Sequence, residues 1–146
     1  MAAYATSISG LSNFTNLSIL NVPGNQITEL DLTGCSNLEQ LYVGANLLQT
    51  LDLSPCTNLQ EIGAVNNADL VITDIPSLAD CFFFSISGCS VPTEMIDSIL
   101  IALSDNELTG GSAFLDEGNN GVPTLSGTDA AYNLIEYRDW TVYYNS

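Results

Sequence analysis

The sequence predicts an α/β solenoid: a curved parallel sheet, irregular turns on its convex side, and a helix-strand-helix-strand cap at the C-terminal end. Two observations predict it. Three stretches repeat at a period of 21 residues, and from Val91 that repeat gives way to helical spacing. Self-similarity at such a period marks a chain wound into stacked units, each of which buries its apolar face only against its neighbours.

The repeat holds at position after position. Leu17, Leu38 and Leu59 are equivalent, as are Leu20, Leu41 and Ile62, then Val22, Val43 and Ala64, then Asn25, Asn46 and Asn67. The second half keeps step through Leu11, Leu32 and Leu53, through Phe14, Cys35 and Cys56, and through Leu30, Leu51 and Ile72. In L-x-x-L-x-V-x-x-N, alternation sends one set of side chains into a core. The asparagine then turns the chain, its amide meeting backbone groups that a tight bend would orphan.

These residues resemble the leucine-rich-repeat family in a short bacterial form. The motif stands here as Leu30-Asp31-Leu32-Thr33-Gly34-Cys35-Ser36-Asn37-Leu38 and as Leu51-Asp52-Leu53-Ser54-Pro55-Cys56-Thr57-Asn58-Leu59. The resemblance covers residues 8–90 and implies a leucine-rich-repeat solenoid. It implies little about function, because such repeats serve many partners.

A fourth repeat is expected in degraded form, with Leu78, Cys81 and Phe83 in the strand positions and Ile86 in place of the asparagine. On that register two residues are missing from the convex turn. The expected core is Leu17, Leu20, Val22, Leu30, Leu32, Cys35, Leu38, Leu41, Val43, Leu51, Leu53, Cys56, Leu59 and Ile62.

From Pro92-Thr93-Glu94 a helix is predicted, with Ile96, Ile99, Leu100 and Leu103 along its buried face. A short strand follows at 113–115, and a polar loop runs over 116–124. A second helix, capped near Ser126 or Thr128, carries Ala131, Leu134, Ile135 and Arg138, and 140–144 closes as a strand. The whole reads as one domain, 1–146, with repeats over 1–90 and a cap over 91–146. Residues 93–146 resemble the closing module of leucine-rich proteins associated with bacteriophage tails and bacterial surfaces. That module usually has glycine before the tryptophan, where Asp139 stands here.

Composition restricts the function. Hydrophobic residues make up 46% and charged ones 12%, with seventeen acids against a single basic residue, Arg138, and a formal net charge of −16. Binding to nucleic acid needs cations that displace phosphate counterions, so no nucleic-acid partner is expected. Docking on an anionic membrane fails for the same reason. The longest apolar run, 99–103, is far too short for membrane insertion. The N-terminal residues carry no secretory pattern, which fits assembly in a bacterial cytoplasm.

No catalytic or metal-binding residues and no cofactor are expected. Without His or Lys a Ser or Cys nucleophile has no ordinary base, and no pair of carboxylates stands out among so many. The cysteines read as small apolar core residues because the Cys35 and Cys56 slot holds Phe14 one repeat earlier; a Cys35–Cys56 rung is the alternative. The 116–121 loop is rich in oxygen ligands but lacks the spacing of an EF-hand, so it reads as a solvated loop rather than a calcium turn.

The face expected to act is the concave one. Alternation points Ile19 and Asn21, Gln40 and Tyr42, Glu61, Gly63 and Val65, and Asp80, Phe82 and Phe84 outward, with Phe114 and Tyr143 continuing the row. Its expected binding residues are Tyr42, Glu61, Asp80, Phe82, Phe84, Phe114 and Tyr143, with Asp116 beside them. Taken with the resemblance of residues 93–146, which implies a virion, the expected function is that of a non-enzymatic structural or adhesive protein of a bacteriophage, present in many copies or as a homo-oligomer, contacting protein subunits or surface glycans. The alternative is a secreted or cell-surface bacterial binding module.

Overall fold

A computed structural model describes residues 4–146. It is a mixed α/β fold built on mostly parallel strands and two helices. The strands are β1 (Ile19–Asn21), β2 (Gln40–Tyr42), β3 (Thr50–Asp52), β4 (Glu61–Gly63), β5 (Val71–Asp74), β6 (Phe83–Ser85), β7 (Ser112–Leu115) and β8 (Thr141–Tyr144). Helix α1 (Thr93–Asp105) joins β6 to β7, and α2 (Leu125–Arg138) joins β7 to β8. Six strands form one parallel sheet in the order β1-β2-β4-β6-β7-β8.

The repeat spacing is the register of this sheet. Leu20 pairs with Leu41 and Leu41 with Ile62, then Ile62 with Phe84 and Phe84 with Ala113. These five side chains form a buried row, and Leu38, Leu59 and Cys81 form another beside it. Burying such a row against its copies is what makes a strand of three residues stable, since alone it would order its backbone for too little apolar burial.

An asparagine amide closes most of the repeats. Asn46 Nδ2 donates to the carbonyls of Val43 (2.9 Å) and Val22 (3.0 Å), the second in the preceding repeat, while its Oδ1 accepts from Ile27 N–H at 3.1 Å. Asn67 repeats the pattern on Ala64, Val43 and Leu48 at 2.9, 3.1 and 3.1 Å. Asn120 does so on Leu115, Ile86 and Val91 at 3.1, 2.9 and 2.9 Å. Each amide spans two turns of the chain.

The slot between Asn67 and Asn120 is filled by Cys89, whose thiol donates to the Ala64 carbonyl at 3.3 Å. Ile86 is instead a buried core residue. The fourth repeat therefore carries one extra residue rather than lacking two. The extra residue shows as a bulge in a second, two-stranded parallel sheet of β3 and β5, where Leu51 faces Ile72 but Asp52 faces Asp74 and Thr73 is left without a partner. This small sheet replaces some of the irregular turns expected on that side.

A one-residue slip turns a strand over. Phe84 is consequently wholly buried and Phe83 lies on the outer face, the reverse of the sequence expectation. At the N-terminal end, Leu17, Val22 and Leu30 are half-buried rather than core, and Phe14 is exposed although its equivalents Cys35 and Cys56 are buried. Among the described residues no full repeat stands before the first one to cover these positions.

Helix α1 buries Ile96, Ile99, Leu100 and Leu103 as its spacing predicts. Helix α2 starts earlier than expected, with Thr124 as its N-cap, and leaves Ile135 exposed. Asp97 on α1 accepts from Thr124 N–H (2.9 Å) and Thr124 Oγ1 (2.5 Å), which pins the two helices together. Asp139 ends α2 at φ 55°, a left-handed position that favours glycine and tolerates aspartate. Trp140 is buried and donates its indole N–H to the Leu108 carbonyl at 3.1 Å.

Replacing Asn67 with Leu should destabilise the protein by at least about 3 kcal/mol, because it strands three buried backbone groups at roughly 1–3 kcal/mol each. Asn25→Leu at the half-buried first rung should cost visibly less. Urea denaturation of both variants checks this, and equal losses would show that the amides do not close the repeats.

Candidate functional site

The outer face of the large sheet carries two side-chain rows. One runs Ile19, Gln40, Glu61, Phe83, Ser112, Thr141, and the other Asn21, Tyr42, Gly63, Ser85, Phe114, Tyr143. The register puts Glu61 directly beside Phe83 and Tyr42 beside Gly63. Because Gly63 has no side chain, the Tyr42 ring leans over it; a Cβ there would meet Tyr42 Cδ1 at 2.8 Å.

The space left over Gly63 is an open depression of about 330 Å³, lined by Asn21, Pro23, Tyr42, Gly44, Gly63, Val65, Phe83 and Ser85. Its lining is largely apolar. Glu61 accepts hydrogen bonds from the Tyr42 hydroxyl and, at 2.9 Å, from Gln40 Nε2, so both long side chains are held in one orientation. Towards the C-terminal edge the aromatic surface continues. Phe83 and Phe114 have ring centroids 6.1 Å apart, and Phe114 stacks on Tyr143 at 5.6 Å. Such contacts are favourable beyond the area they bury.

Most of the expected binding residues lie on this face. Tyr42, Glu61, Phe114 and Tyr143 are there. Asp116 is close by, its carboxylate accepting from Ser87 Oγ at 2.8 Å. Three are not. Phe84 is core, whereas Asp80 and Phe82 are exposed in the turn that leads into β6, outside the two rows. Phe83 is the residue the sequence reading missed. Placing Leu78, Cys81 and Cys89 opposite Cys56, Leu59 and Asn67 would have found it.

No protein family, curated protein or solved structure matches this chain.

Among the described residues no group of three His, Cys, Asp or Glu side chains is placed to hold a metal ion, and no helix is long and apolar enough to cross a membrane. In the 116–121 loop the Asn120 side chain is committed to backbone groups and is not free to be a ligand. All four cysteines are free and buried. Burial pushes the thiols of Cys56 and Cys81 up to about 12 and raises those of Cys35 and Cys89. Thiols held protonated in this way are poor nucleophiles.

The hydrogen bond to Glu61, reinforced by burial and by the carboxylate charge, raises Tyr42 to about 12. The folded state therefore holds this proton more tightly than the unfolded chain does. That contribution to stability is complete below pH ~10, the ordinary range for a phenol, and is lost as pH rises towards the folded value. Subtracting the phenolate absorbance titration of Tyr42→Phe from that of the parent should isolate one component centred near about 12. In a Glu61→Gln background that component should move down. If it instead sits near pH ~10 in the parent, the Tyr42–Glu61 bond is not formed in solution.

Proposed function

We propose that the chain is a leucine-rich-repeat solenoid acting as a non-enzymatic recognition module, which takes its partner against the concave, outer face of the six-stranded sheet. The observation that carries this reading is the aromatic surface in which Tyr42 and Phe83 line an open depression and Phe114 and Tyr143 continue the face towards the C-terminal edge. Aromatic side chains give a large contact area at low entropic cost, and soluble proteins seldom display a contiguous apolar surface without a use. The protonated, buried cysteines and the absence of His and Lys weigh against nucleophilic catalysis.

The resemblance of residues 93–146 to the closing module of tail-associated and surface proteins supports a place in a bacteriophage virion, where many copies would act together. A surface binding module of a bacterium is the alternative role for the same face.

The experiment is a screen of the immobilised chain against a random peptide library and a glycan array, repeated with a Tyr42→Ala/Phe83→Ala variant. Outward side chains carry little of the core, so the double variant should keep its melting temperature within a few degrees, a shift of roughly 1 kcal/mol. It should also lose every ligand the parent binds. Ligands that survive the substitution would place recognition on another surface. Phe84→Ser is the contrasting variant: it truncates a buried ring and should cost on the order of 3–5 kcal/mol.

A further inference from the structure

We infer that the depression over Gly63 takes a lysine or arginine side chain from a partner polypeptide, its stem between Tyr42 and Phe83 and its charged head on the Glu61 carboxylate. This rests on the outer-face reading above and adds the chemistry of the occupant.

Charge is the first argument. Glu61 sits at the rim rather than in the lining of the depression, half-buried beside Phe83 and bonded to the Tyr42 hydroxyl, and among the described residues no cation is paired with it. The single basic residue of the chain, Arg138, lies in the last turn of α2. A carboxylate offers about four lone-pair sites, and here the Gln40 amide and the Tyr42 hydroxyl take up two of them. The remaining capacity calls for a donor, and a charged donor makes the stronger bond. The formal charge of −16 attracts a cation from a distance and repels anionic competitors.

Shape is the second argument. The lining is largely aromatic or apolar, which suits the methylene stem of a long basic side chain. Ring faces attract cations and not anions, and Tyr42 and Phe83 flank the place where the stem would lie. A small cation would use only the depression. A polypeptide also reaches Phe114 and Tyr143, which extend the same surface by two strands.

The test is an NMR titration of the isotopically labelled full chain with an end-blocked tetralysine peptide, the same peptide with every side-chain amine acetylated, and cellotetraose. Tetralysine should shift the amides of Tyr42, Gly63, Phe83 and Ser85, whereas the acetylated peptide and the sugar should not. Glu61→Gln should weaken tetralysine binding about tenfold, the scale of one charged hydrogen bond. Phe83→Ala should weaken it by a similar factor. Glu136→Gln, which removes an equal charge on the exposed side of α2, should change it less than about twofold.

Equal weakening by Glu61→Gln and Glu136→Gln would mean that only the overall charge is felt, and would overturn the proposal. Shifts of the same amides by cellotetraose but not by tetralysine would overturn the cation and leave the outer-face reading standing. Silence of these amides towards all three probes would also overturn the cation, while the library screen remains the judge of the face itself.

Discussion

Three turns of this protein are closed by a buried side-chain amide that must satisfy backbone groups from two successive turns of the chain. Asn46, Asn67 and Asn120 do this with the same three-point pattern. A buried carbonyl or N–H without a partner is expensive, so the turn cannot relax into another shape without exposing them. Fixing the turn fixes which residue enters the next strand, and hence which side chains face the core. The aromatic outer face is the complement of that choice.

The same constraint explains which parts of the fold were legible in the sequence. Where the asparagine recurs, at Asn25, Asn46 and Asn67, counting residues placed β1, β2 and β4 correctly, and helical spacing placed α1 and its buried residues. Reading failed where Cys89 does the asparagine's work. A thiol donates one weak hydrogen bond where the amide donates two and is a poorer acceptor, and cysteine at such a slot looks like an ordinary core residue. With the marker hidden, the bulge at Thr73 could not be counted, and the strand containing Phe83 and Phe84 was turned over. Of the site, Tyr42, Glu61, Phe114 and Tyr143 were legible because they lie in repeats or strands whose phase was known. The Tyr42–Glu61 hydrogen bond and the leaning of Tyr42 over Gly63 depend on pairing across strands, which a period alone does not reveal.

The two ends of the sheet meet the problem of an open edge differently. At the C-terminal end, α1 and α2 pack on each other, joined by Asp97 and Thr124, and Trp140 closes over Gly111. At the N-terminal end, the described residues before β1 supply only part of a turn. The Ala5 N–H donates to Asn25 Oδ1 at 2.9 Å, as Ile27 N–H does to Asn46, but Phe14 and Ile19 remain exposed. Stability should therefore fall from the middle of the stack towards β1, since each repeat depends on neighbours on both sides.

Hydrogen exchange tests the central constraint most directly. The backbone N–H groups of Ile27, Leu48 and Val91 are bonded to asparagine side chains rather than to other backbone, so an ordinary turn would leave them exchanging quickly. If the amides close the repeats, Leu48 and Val91 N–H should exchange only with global unfolding, as slowly as the sheet amides of Leu41 and Ile62, and Ile27 somewhat faster. Exchange of Leu48 and Val91 at the rate of exposed loop amides, while the sheet stays protected, would contradict the account.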